Sequence, residues 1–142
     1  MAGYTDNLVL YVSAETQDEA SAADLLDIEF PTGGVVYEFG LIQTETGSGN
    51  APVVALDLSS SAAESDRAEQ ATLTPATTQA AGSRVRSSSA AFPLNVPHGG
   101  RVTLEHKTAG TSAGAYKAYA IVKHAGVVAI STTASPVTEV AA

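Results

Sequence analysis

Apolar and polar positions alternate with a period of two along much of this chain, and short turn-rich stretches separate the alternating runs. Leu8-Val9-Leu10-Tyr11-Val12 is a continuous apolar run of strand formers and predicts a buried strand. Ile28-Glu29-Phe30 predicts an extended piece that ends in the turn Pro31-Thr32-Gly33-Gly34. A strand is expected over 35–43, with Gly40 marking a bulge or a close backbone approach. After a loop over 46–52, a further strand is expected over 53–58 and a short one over 70–73. The Thr-, Ser- and Ala-rich stretch 74–89 has little to bury and predicts a mobile loop around a short strand at 83–85. Two prolines in 92–97 assign that piece to a sheet edge, and His98-Gly99-Gly100 is a turn. The clearest alternation comes last. Val102, Leu104 and His106 alternate with Arg101, Thr103, Glu105 and Lys107, and Tyr116, Ala118, Ala120 and Val122 alternate with Lys117, Tyr119, Ile121 and Lys123. A final strand is expected over 127–130, followed by a tapering tail.

Helical signals are few. Thr16-Gln17-Asp18-Glu19 has the form of a capping box and precedes Ala20, Ala22, Ala23, Leu25 and Leu26, which reads either as one or two helical turns or as a loose acidic arm. Ser61-Ala62-Ala63-Glu64 is a second match, within a polar stretch that reads as a short helix or a surface excursion. Seven to nine short strands joined by Gly, Pro and Ser turns predict an all-β chain. The expected fold is an antiparallel β-sandwich or jelly roll, with at most one or two short helices. One domain is expected: an N-terminal strand and acidic arm over 1–34, a sandwich body over 35–130 and a C-terminal tail over 131–142.

Composition narrows this further. Leu, Ile, Val and Phe make up 31 of 142 residues, so the core is thin and the domain is expected to gain stability from neighbours. The formal charge of −8 is unevenly laid out: twelve acids and no cation lie in the first 66 residues, and all seven cations follow. Either the two halves interleave in one fold or the acidic half faces a partner. An acidic chain whose best basic cluster is Arg84-Val85-Arg86 is not expected to bind nucleic acid. No apolar run approaches the roughly 18 residues a membrane span requires, and the N-terminal residues carry no basic and apolar signal pattern, so neither membrane insertion nor secretion is expected.

The search for reactive chemistry yields little. There is no cysteine, which excludes thiolate metal sites and a cysteine nucleophile. His98, His106 and His124 are not at ligand spacing and read as one turn residue and two strand residues. Phosphate-loop, dinucleotide and nucleophile-elbow signatures are all missing, and the many carboxylates read as a solvated face. Asp24, Asp27 and Glu29 fit no EF-hand loop. No catalytic residue, cofactor or metal is therefore assigned, and an enzyme is not expected. Tyr4, Tyr11, Tyr37, Tyr116 and Tyr119 are the residues a carbohydrate-binding module would use, against the competing reading of half-buried strand tyrosines. Lys117, Tyr119 and Ile121 share one face of a predicted strand in a mixture typical of an interface. The acids Glu15, Asp18, Glu19, Asp24, Asp27 and Glu29 are the best candidates to contact a basic surface.

Several stretches together resemble a known group. They are Val35-Val36-Tyr37-Glu38-Phe39-Gly40-Leu41-Ile42, Pro52-Val53-Val54-Ala55-Leu56-Asp57-Leu58, Gly82-Ser83-Arg84-Val85, and the run from Pro93 through His98-Gly99-Gly100 to the Thr108-Ala109-Gly110-Thr111-Ser112-Ala113-Gly114 loop. This order is similar to small β-sandwich virion proteins of tailed bacteriophages, among them head decoration (cement) proteins, over about residues 35–123. The resemblance implies a structural protein on the capsid surface, made in the host cytoplasm. It implies a homo-oligomer, a trimer foremost, that binds the major capsid protein and stabilises contacts between its subunits. A tail or head-fibre module of the same structural class is the alternative virion reading.

Overall fold

The computed structural model describes residues 8–17, 23–76, 78–87, 90–111 and 113–126, and the backbone of 136–140. Ten strands form: β1 (Leu8–Val12), β2 (Asp24–Phe30), β3 (Gly34–Gln43), β4 (Val53–Ser59), β5 (Ala68–Leu73), β6 (Arg84–Arg86), β7 (Leu94–Val96), β8 (Gly100–Thr108), β9 (Tyr116–His124) and β10 (Pro136–Val140). They build two antiparallel sheets packed face to face. Sheet A has the order β10-β1-β9-β3-β6, with β7 also on β3, and sheet B has the order β2-β8-β4-β5. The chain is an all-β sandwich, and no helix occurs among the described residues.

The winding follows one rule. Strands β1 to β4 form an outgoing arm and strands β5 to β9 a returning arm, and the two pair antiparallel. Val9 pairs with Val122, Ile28 with Val102, Val36 with Leu94, Leu41 with Val85, and Leu56 with Ala71. Each step outward is matched by a step back, so β1 to β9 form a single long hairpin, and β10 adds to the far side of β1. Rolled up, that hairpin adds the lateral pairings β3 to β9 and β4 to β8. Nested strand pairs split between two sheets are the winding of a jelly roll.

Period-two alternation accounts for the core. Leu26, Ile28 and Phe30 of β2, Val102 and Leu104 of β8, and Val54 and Leu56 of β4 point inward from sheet B. Val9 and Tyr11 of β1, Val36, Phe39 and Leu41 of β3, and Ala118, Ala120 and Val122 of β9 meet them from sheet A. The interior also holds two tyrosine–histidine pairs. The Tyr11 hydroxyl lies 2.7 Å from His124 Nε2, and the Tyr116 hydroxyl is hydrogen-bonded to His106 Nε2. Burial holds His124 below the usual imidazole range and pushes Tyr11 up to about 12.

Four expectations change. Leu25 and Leu26 belong to strand β2, not to a helix or a loose arm, because alternation from Leu26 to Phe30 buries one whole side of the segment. Residues 18–22, which carry the rest of that capping box, lie outside the described residues. The second capping box forms no helix. Glu64 N–H bonds Ser61 O at 3.1 Å, closing one turn, and Glu64 then adopts a left-handed backbone with φ of 56°. The tail contains β10, which pairs along β1, whereas the strand expected over 127–130 falls outside the described residues. β1 and β2, which precede the expected 35–130 body, are strands of sheets A and B. The proline-bearing piece becomes β7, which pairs with β3 alone.

Candidate functional site

With the core turned inward, the two outer faces of the sandwich carry the polar chemistry, and they differ sharply. On sheet B, Asp27 and Glu29 of β2, Arg101 and Glu105 of β8, and Asp57 of β4 alternate with core residues and so project outward. The β4–β5 connection folds back over this face and delivers Arg67. Its guanidinium lies 2.9 Å from Asp57 Oδ2, 2.8 Å from Asp24 Oδ1, 3.1 Å from Glu105 Oε2 and 3.6 Å from Glu64 Oε1. Glu64 also accepts the Thr103 hydroxyl at 3.0 Å. One cation therefore ties β2, β4 and β8 to the overlying loop. Arg101 donates to Asp27 at 2.5 Å and to Glu29, joining β2 to β8 a second time.

Four carboxylates around Arg67 exceed what one cation neutralises. The Glu105 carboxyl is pushed up to about 7, chiefly by the hydrogen bond it shares with Asp57, and burial and the Asp57 charge add to this while Arg67 opposes it. Burial likewise raises Asp27, against the pull of Arg101.

The outer face of sheet A is aliphatic and cationic. Leu10 of β1 lies opposite Ile121 of β9, Val12 opposite Tyr119, and Ile42 of β3 opposite Lys117. Tyr119 is covered although it points outward. Its ring occupies the space above Gly40, where a Cβ would meet Tyr119 Cε1 at 2.6 Å and its hydroxyl oxygen at 2.7 Å. Gly40 thus marks a close approach, and the bulge in β3 falls instead between Val36 and Glu38. The Tyr119 hydroxyl donates to Glu38 at 2.5 Å, and Arg84 stacks over the ring at 5.9 Å. Burial and that carboxylate hold the phenol well above its usual range.

The residues proposed from sequence are thereby distributed over separate places. Lys117, Tyr119 and Ile121 do share the outer face of sheet A. Asp24, Asp27 and Glu29 share the outer face of sheet B, but their carboxylates are engaged by Arg67 and Arg101 of the same chain. Glu15 stands apart, accepting the Thr44 hydroxyl at 2.5 Å, and Asp18 and Glu19 lie outside the described residues. The four described acids are not one patch. Acids of the first half do interleave with cations of the second: Glu38 faces Arg84 and Arg86 at 3.8 and 3.9 Å, and Asp57 binds Arg67. The described tyrosines do not gather on one exposed surface. Tyr11, Tyr116 and Tyr119 are buried, Tyr37 is exposed, and Tyr4 lies outside the described residues.

Sequence reasoning missed the Arg67 hub. Its one visible signal was Asp57, an acid in the middle of an apolar strand, where an ionised group requires a partner. Among the described residues no group of three or more His, Asp or Glu side chains is arranged to hold a metal ion. No protein-family model, curated protein or solved structure matches the chain.

Proposed function

We propose that the chain is a structural component of a tailed-phage particle, a decoration (cement) protein that binds the assembled head and stabilises contacts between major capsid subunits. The observation that carries the reading is the outer face of sheet A. Aliphatic side chains from β1, β3 and β9 lie there side by side among lysines and arginines, the composition of an interface rather than of a solvated sheet. The jelly-roll winding, frequent among capsid proteins, is consistent with it. So is the resemblance over residues 35–123.

Attachment in this reading draws on the apolar area covered, at roughly 25 cal/mol per Å² before association costs. Register comes from the surrounding cations. Purified protein is expected to bind mature heads of the phage that encodes it and to raise their resistance to heat or chaotrope. A failure to bind those heads at low salt would sink the proposal.

A further inference from the structure

The two outer faces carry opposite charge, and their arrangement makes each a candidate partner for the other. Among the described side chains, the outer face of sheet A holds the cations Arg84, Arg86, Lys117 and Lys123 against one carboxylate, Glu38. Arg84 and Arg86 are 53% and 66% exposed and approach Glu38 no closer than 3.8 Å. Lys117 makes no ion pair among the described residues. On the opposite side of the sandwich, the outer face of sheet B holds seven carboxylates (Asp24, Asp27, Glu29, Asp57, Glu64, Glu69 and Glu105) with three cations, Arg67, Arg101 and Lys107. Asp24, Glu69 and Glu29 are its most exposed acids, at 45%, 42% and 38%.

We infer that the outer face of sheet A is a docking surface for the sheet B face of a second copy of this chain, so that copies stack head to tail. The aliphatic row from Leu10 to Ile121 gives sheet A a reason to be covered, and charge decides by what. Two copies joined through sheet A symmetrically would bring the four cations of each together, a like-charge arrangement that disfavours that pairing. The sheet B face supplies the complementary sign. A heterologous contact of this kind repeats: it closes into a ring if its rotation allows and otherwise propagates as a filament. The inference does not rest on the capsid reading. Self-association and head binding are measured separately, so either one can fail alone.

Sedimentation velocity on the full chain tests it. At about 20 mM salt the mean sedimentation coefficient should climb with protein concentration, and at about 500 mM it should return to the monomer value, as the screening length falls from roughly 20 to 4 Å. The variant Arg86→Glu/Lys117→Glu makes both faces acidic, and Glu69→Lys/Asp24→Lys leaves sheet A cationic and removes the acid surplus of sheet B. Each alone should associate about tenfold or more weakly than the parent chain, whereas an equimolar mixture of the two should associate again. Circular dichroism melts identify any variant that fails to fold, and Asp24→Asn then replaces Asp24→Lys so that the Arg67 hub keeps a hydrogen-bond acceptor. A concentration-independent monomer at low salt overturns the inference. So does association that only the sheet A substitutions weaken, which is the mark of symmetric pairing through that sheet, and so does a mixture that fails to associate.

Discussion

Replacing Glu105 by glutamine should remove a specific pH dependence from the stability of the fold. The Glu105 carboxyl titrates near 7 in the folded chain and at an ordinary 4.5 when unfolded, chiefly because of its hydrogen bond with Asp57. Between those pH values the folded protein holds a proton that the unfolded chain has released. The contribution is therefore complete below about pH 4.5, declines as pH rises, and is gone above about pH 7. At about 1.4 kcal/mol per pH unit the shift sets a ceiling of about 3 kcal/mol. The side chain is still 22% exposed, so screening lowers the expected value to about 1–2 kcal/mol. Glutamine resembles the protonated acid: it can donate an amide N–H to Asp57 and adds no charge to the group around Arg67. Urea unfolding of both proteins at several pH values from about 5 to 8 gives the comparison. Glu105→Gln should match the parent near the acid end and exceed it by about 1–2 kcal/mol near pH 8. The difference between the two curves is the decisive quantity, because the half-buried His124 adds an opposite trend common to both proteins: its contribution is complete above the usual imidazole range and is lost on acidification. Parallel curves would refute the shared proton, and a parent that gains on the variant with rising pH would reverse the reasoning.

Two further outcomes test the contacts that hold the sheets. Arg67→Met leaves Asp24, Asp57, Glu64 and Glu105 facing one another without their cation, and Asp57 is almost wholly buried, so chemical denaturation should show a loss of about 3 kcal/mol. Gly40→Ala forces a methyl group against the Tyr119 ring and the Val85 carbonyl, with an expected loss of about 1–3 kcal/mol. Tyr119→Ala added to it should return part of that loss and no more, since the carbonyl contact remains. A neutral Gly40→Ala variant would mean that the ring does not sit over β3 as described.

How much of this was legible beforehand differs between fold and site. The strands of the body were visible because period-two alternation is a local property, and β3, β4, β8 and β9 lie within a residue or two of their expected limits. β2 was obscured because the alanines and paired leucines before Ile28 satisfy a helical pattern equally well. What decides its state is the row of β8 side chains beside it, which no local window contains. β10 was missed because its edge place beside β1 is fixed by a partner more than a hundred residues away. The cluster around Arg67 was out of reach for the same reason. Its members come from β2, β4, β8 and the β4–β5 connection, and only the loop brings the guanidinium over the sheet.

The uneven spread of charge along the chain takes on meaning in the folded hairpin. All the acids of β2, β3 and β4 lie on the outgoing arm, and Arg67, Arg84, Arg86, Arg101 and Lys107 lie at its tip or on the returning arm. Every strand of the outgoing arm that bears an acid is thus laid against a segment that bears a cation: β2 against β8 through Arg101, β3 against β6 through Arg84 and Arg86, and β4 beneath Arg67. Pairing within the outgoing arm, β2 with β4 for example, would instead set carboxylates side by side without a counter-ion. Segregation along the sequence therefore gives the nested antiparallel pairs a nearby cation even where acids face each other, Asp24 opposite Glu105 and Asp57 opposite Glu69, a discrimination that hydrophobic alternation alone does not provide because every strand presents a similar apolar face. The same rule has a consequence outside the molecule. Neutralisation is incomplete on the outer faces, where rolling the hairpin gathers surplus acids on sheet B and surplus cations on sheet A. The opposed faces available for contact between copies thus arise from the charge order that selects the fold.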